Sequence, residues 1–149
     1  KSPKTEFVGK SAKYILDKIG ITVGDDVKVI LMEAKEDHPF VQVELMMPIL
    51  PLVRVPDVDQ AIEMAVRVEH GNRHTAMMHS RNVEKLTKMA KLIQTTIFVK
   101  NGPSYAGIGV GGEGYTTFTI AGPTGEGLTS AKSFARRRRC VLVGGMDVR

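Results

Sequence analysis

Gly9-Lys10-Ser11 has the ending of a phosphate-cradling loop, in which backbone N–H groups and a lysine hold phosphate oxygens. That loop needs a glycine five positions before Gly9, and Lys4 stands there, so the motif is incomplete. The spacing G-x-G-x-x-G occurs at Gly107, Gly109 and Gly112 and again at Gly109, Gly111 and Gly114. A dinucleotide fingerprint must follow a strand and open a helix. A β-type run, residues 115–120, comes next instead, which favours a turn-rich loop needing positive φ. His70 and His74 are four apart, as two ligands on one helical face would be, but Gly71 and Asn72 interrupt the helix between them and no third ligand completes a site. Cys140 adjoins Arg136, Arg137, Arg138 and Arg139, a positive neighbourhood that favours thiolate. It also heads the apolar run 141–143, which points to a structural thiol, and no base beside it makes it a nucleophile. The four arginines admit three accounts: a solvated or subunit-contact face, a clamp for cofactor phosphates, or a nucleic-acid patch.

The net charge of +5 and the pI near 9.4 favour anionic partners, and much of the excess is that arginine run. Elsewhere lysines mix with carboxylates, as on solvated faces. Aromatic content is 5% with no Trp, so the interleaved aromatic and basic residues of a single-strand binder are missing, and no nucleic acid is expected as a partner. No run approaches the roughly 18 to 20 apolar residues that cross a bilayer, and no signal-peptide pattern precedes Glu6; the expectation is a cytoplasmic chain with no membrane partner. A single cysteine forms no internal disulfide.

The elements that would position these residues alternate. Residues 9–19 predict a helix stopped by Gly20, and 28–33 a strand. Residues 41–55, interrupted by Pro48 and Pro51, suit short extended pieces. Asp57 caps a second helix with Ala61, Ile62, Ala65, Val66 and Val68 as its buried stripe, ended by Gly71. Residues 74–79 predict a strand. Asn82 caps a third helix with Val83, Leu86, Met89, Ala90 and Ile93 inward and Lys85, Lys88 and Lys91 wet, and residues 95–100 return as a strand. Such alternation implies parallel α/β pairing. Residues 101–127 are too rich in glycine for packing alone, which marks a functional loop or a wrap over a neighbouring subunit. A short helix over 128–135 and a last strand over 140–143 complete the pattern.

Glu44-Leu45-Met46-Met47-Pro48-Ile49-Leu50-Pro51, with the helix from Asp57, resembles the E-x-F-G-P-V-L-P segment and following helix of the aldehyde dehydrogenase superfamily. Residues 74–79 with 82–94 resemble its next strand and helix, 97–101 its following strand, and 109–114 its Gly-rich S-G-x-G-x-E-G region. The run from Gly111 through Tyr115, Pro123 and Thr124 to Gly127, and residues 136–142, are similar to the CoA-acylating branch of ethanolamine and propanediol utilisation, often housed in bacterial microcompartments.

The resemblance implies an α/β fold, a partial catalytic domain with a mostly parallel sheet, flanking helices and a C-terminal oligomerisation strand. It divides the chain into residues 1–135, the C-terminal part of the catalytic domain, and 136–149, a basic tail and pairing strand. In that family a cysteine thiolate captures the aldehyde, hydride passes to NAD and the acyl group moves to coenzyme A, covalent capture splitting one hard step into two easier ones. By resemblance Glu44 holds the ribose hydroxyls beside the nicotinamide. Met46 and Pro48 line the same contact, and Thr124, Gly125 and Gly127 border the cofactor and substrate cavity. The superfamily carries an aromatic where this chain has Met46 and a glycine where it has Met47. Its nucleophile and nucleotide-binding units fall before residue 1, so the 149 residues alone are expected to be an inactive fragment with no catalytic residue and no metal. Expected partners are a small aldehyde such as acetaldehyde or propionaldehyde, coenzyme A, further copies of the chain and a microcompartment shell. The competing expectation is a non-catalytic binding or assembly module whose basic tail docks on an anionic partner.

Overall fold

The structure, a computed structural model, describes residues 3–113, 120–121, 127–141 and 143–144, with the side chains of the short strands at 120–121 and 127–128 left aside. The chain divides into two compact units, Lys1–Gly71 and Asn72–Arg149.

In the first unit, helix α1 (Ala12–Asp17) begins where Ser11 Oγ accepts the Tyr14 N–H at 3.2 Å. It is shorter than its apolar spacing suggests. Gly9, at φ +71°, stays outside it, and the Ile21 N–H closes back on the Leu16 carbonyl past Gly20 at φ +79°. Strand β1 (Ile30–Glu33) pairs in parallel with β2 (Ile49–Leu52), Ile30 opposite Ile49 and Met32 opposite Pro51. Proline donates nothing to a ladder, and β2 tolerates it as an edge of a two-stranded sheet. Between the strands lies a single helical turn, α2 (Pro39–Gln42), where only extended pieces were expected for Val41 and Gln42. His38 Nδ1 accepts the Phe40 N–H at 3.1 Å, and Pro39 supplies a helical φ in the first turn. Helix α3 (Val58–Val68) starts on Asp57, whose Oδ1 accepts the Gln60 N–H at 2.9 Å. Only Ile62 of its expected stripe is buried outright; Ala61, Ala65, Val66 and Val68 are half-buried.

In the second unit, β3 (Thr75–Met78) pairs in parallel with β4 (Ile97–Lys100), Thr75 opposite Ile97. The crossover is the amphipathic helix α4 (Val83–Ile93), capped by Asn82 Oδ1 accepting the Lys85 N–H at 3.0 Å and ended by Gln94 at φ +51°. Leu86, Met89 and Ile93 are buried, as are Ile97 and Val99 of β4. Val83, expected inward, is 69% exposed, because the first helical residue falls before the turn that meets the sheet. Lys91 is exposed, while Lys85 and Lys88 are half-buried. Asn101 joins the strand ends: its Oδ1 accepts the Ser80 N–H at 2.7 Å and its Nδ2 donates to the Ser80 carbonyl at 2.9 Å. A 3-10 turn (Ser104–Ile108) then packs on β4.

Strands β5 (Ile120–Ala121) and β6 (Gly127–Leu128) pair antiparallel, so the expected strand over 115–120 is seen at its last residue, and residues 115–119 lie outside the described residues. The short helix expected over 128–135 is a 3-10 turn (Ala131–Phe134) with a reciprocal Ser130 and Ser133 cap. Cys140, Val141 and Val143 belong to no strand, and Leu142 is not described. A strand exists only against a ladder partner, and none pairs with them among the described residues.

Candidate functional site

The segment that enters β2, residues 44–48, is held at several points. Leu45 is 7% exposed and anchors it in the first unit's core. The Met46 carbonyl accepts the Gly9 N–H at 2.9 Å, the Met47 carbonyl accepts the Ile49 N–H at 2.8 Å, and the Pro48 carbonyl accepts the Ile30 N–H at 2.8 Å. Glu44, Met46 and Pro48 thereby share one fixed turn. Glu44 is exposed, and its carboxylate makes no hydrogen bond or ion pair to any described residue. Its oxygens are available to a ligand.

Met46 lies at φ +52° and is 65% exposed. A left-handed backbone at a side chain with a Cβ costs roughly 1–2 kcal/mol, and such residues persist where their surroundings over-determine them. The Gly9 hydrogen bond does part of that here. Met47, the position where the superfamily carries glycine, has no positive φ, and the left-handed residue of this turn is Met46. Nothing in the sequence pattern signalled left-handed backbone at Met46.

Thr124 and Gly125 lie outside the described residues. Gly127 is in β6, in the second unit. Of the other sequence candidates, His70 at φ +56° follows the end of α3, and His74 Nδ1 stands 2.7 Å from Thr75 Oγ1. No cluster of three or more His, Cys, Asp or Glu suited to a metal occurs among the described residues. Cys140 and all four arginines are exposed in the single chain. No described helix is long and apolar enough to cross a membrane.

The glycine-rich region is explained in part by packing after all. A Cβ on Gly107 would lie 2.2 Å from Ile97 Cγ2, and one on Gly112 would lie 2.8 Å from Ala106 Cβ. Gly109 and Gly111 take positive φ. The first G-x-G-x-x-G spacing runs through a 3-10 turn packed on β4 and opens no helix.

The aldehyde dehydrogenase family matches residues 28–126, from just before β1 into the glycine-rich region. The chain belongs to the aldehyde dehydrogenase family. Within it, the chain is 56% identical over 145 residues to a CoA-propanoylating propanal dehydrogenase of Citrobacter freundii, covering 97% of this chain and 32% of that protein. The crystal structure of Rhodopseudomonas palustris propionaldehyde dehydrogenase with bound propionyl-CoA superposes with a TM-score of 0.88 at 74% identity, covering 95% of this chain and 31% of that one. A propionaldehyde dehydrogenase from the Clostridium phytofermentans fucose utilisation microcompartment gives 0.85 at 53% identity, over 98% of this chain and 34% of that one. The chain thus spans about a third of the length of these aldehyde dehydrogenases.

Proposed function

We propose that this chain forms one wall of the active site of a CoA-acylating aldehyde dehydrogenase that oxidises a short aldehyde, acetaldehyde or propionaldehyde, to its acyl-CoA with NAD. The observation that carries the reading is Glu44: an exposed carboxylate with no described partner, on a turn anchored by three backbone hydrogen bonds. A ribose diol needs such an acceptor, and charge-assisted hydrogen bonds to a fixed carboxylate orient a ring better than neutral ones. These residues fit the nucleotide they would meet.

In this reading NAD, when bound, supplies the hydride acceptor. Glu44 holds the ribose hydroxyls, Met46 offers an apolar thioether surface, and Pro48 stiffens the turn. Thr124, Gly125 and Gly127 border the same cavity, on the strength of the family resemblance alone. Residues 1–135 act as catalytic-domain polypeptide and 136–149 as a basic tail that pairs with another copy. Coenzyme A, the aldehyde, a homo-oligomer and a microcompartment shell are the partners this assigns, in the cytoplasm or within the compartment. The relatives with bound propionyl-CoA and from a microcompartment support these assignments.

The test joins this chain to the segment preceding the matched region of the Citrobacter freundii propanal dehydrogenase and follows NADH formation with propionaldehyde and coenzyme A. Activity requiring both substrates is expected, with NADP compared in parallel. Glu44→Gln should lower kcat/KM about tenfold or more, mostly through a raised KM for NAD, since a hydrogen bond to a charged group contributes about 1.5–3 kcal/mol. A folded chimera that reduces no NAD, or one indifferent to Glu44→Gln, would refute the assignment.

A further inference from the structure

A cleft of about 580 Å³ opens in the first unit between residues 9–13 and the turn 46–48. Its walls carry three ammonium groups, Lys10, Lys13 and Lys28, and one carboxylate, Asp25, so the lining has a formal charge of 3 − 1 = +2. Asp25 is already engaged. Its Oδ1 lies 3.1 Å from Lys13 Nζ, and its backbone carbonyl accepts from Lys28 Nζ. Lys10 Nζ stands 5.6 Å from the centre of the Tyr14 ring and meets no carboxylate among the described residues. Met46, Met47 and Pro48 form the apolar wall opposite. At Gly9 nothing lies within 4 Å of where a Cβ would be, so that rim is open to a ligand.

Like charges gathered on a concave surface repel each other, and a single carboxylate leaves two of them uncompensated. A compact polyanion with several acceptor oxygens removes that repulsion and gives the ammonium donors partners at once. The Gly9-Lys10-Ser11 motif, incomplete as a phosphate loop, contributes through its lysine side chain. The Ser11 oxygen accepts the Tyr14 N–H, and α1 has only six residues.

We propose that Lys10, Lys13 and Lys28 form a binding site for a phosphate-bearing ligand, reached over the Met46–Pro48 wall. The phosphate belongs either to a nucleotide cofactor such as coenzyme A or to a free phosphorylated anion; only the first source rests on the function proposed above.

Inorganic pyrophosphate titrated into the full chain at low ionic strength tests it, read by calorimetry and by amide chemical shifts. Saturable binding is expected, with the largest shifts at Gly9, Lys10, Lys13 and Lys28. Binding should weaken as salt rises, because the screening length is about 10 Å at 0.1 M. The double change Lys10→Gln with Lys28→Gln should weaken it about tenfold or more, by loss of two charge-assisted donors. Asp25→Asn should tighten it severalfold, an outcome a merely unfolded variant does not give, and Lys91→Gln in the other unit should leave it unchanged. Displacement of pyrophosphate by coenzyme A assigns the phosphate to the cofactor; pyrophosphate binding that coenzyme A does not disturb assigns it to a free anion. Absence of saturable binding, or binding indifferent to Lys10, Lys28 and Asp25, overturns the site while leaving aldehyde oxidation by the chimera untouched.

Discussion

Both units join two parallel strands through a crossover, and the two crossovers carry very different lengths of helix. Between β3 and β4 runs α4, eleven residues long, whose Leu86, Met89 and Ile93 are buried alongside Ile97 and Val99. Between β1 and β2 there is only the four-residue α2, too short to cover a sheet. Leu31, Leu50 and Leu52 are 66%, 55% and 44% exposed, and the alternate residues Ile30, Met32 and Ile49 line an open apolar cavity of about 570 Å³ with Phe7, Ile15 and Phe40. Parallel strands are apolar on both sides because they are ordinarily covered on both. The second unit satisfies much of that demand within itself, whereas the first presents apolar surface of the kind that drives association.

The contrast can be broken by substitution. Leu86→Ala should destabilise the second unit by about 2–5 kcal/mol in urea unfolding, the range for deleting a buried leucine. Leu31→Ala, on the bare face of β1, should change stability by no more than about 0.5 kcal/mol. Equal effects would mean that the β1 and β2 face is covered in solution. Gly107→Ala comes next, at about 1–3 kcal/mol, because the new methyl overpacks Ile97; circular dichroism melting of the chain measures it. Asn82→Ala, which removes the cap of α4, should cost about 1 kcal/mol by the same assay.

The smallest effect is expected in the first unit and depends on pH. The Arg67 guanidinium, with Nε 2.9 Å from Glu36 Oε1, holds the Glu36 carboxyl below its ordinary range, and the Gln60 N–H does the same for Asp57. A carboxyl whose folded pKa is lowered contributes stability that is fully present above its unfolded pKa and is lost as pH falls through the folded one. Stability should therefore decline below the ordinary carboxylate range, and Glu36→Gln with Asp57→Asn should flatten that decline in melts taken across acid pH. Asp57 is exposed and Glu36 is only half-buried, so the slope should be shallow.

Helical periodicity and caps made the starts of α3 and α4 readable, since Asp57 and Asn82 each stand directly before an apolar stripe of period 3.6. The strands β3 and β4 were equally clear because their β-branched and apolar runs flank that helix. What the pattern hid were features without period: the one-turn α2 behind His38-Pro39, and left-handed backbone at Met46, Gln94 and Asn101. At Met46 that region is supported by the Gly9 hydrogen bond, a contact from another element that no local spacing reveals. The candidate site followed the same rule. Glu44 stood out through family resemblance, while the gathering of Lys10, Lys13 and Lys28 needed the folded loop.

Asn101 bears on how this chain ages. It is followed by Gly102, the neighbour that least hinders attack of the next backbone nitrogen on the side-chain carbonyl, the reaction that turns asparagine into a cyclic imide and then an acid. The two hydrogen bonds to Ser80 hold the amide in one orientation, and they must break before the side chain can swing toward the Gly102 nitrogen. The same two hydrogen bonds that extend the ladder past β3 and β4 therefore protect the dipeptide chemically, and local fraying of those strand ends would set the pace of its decay.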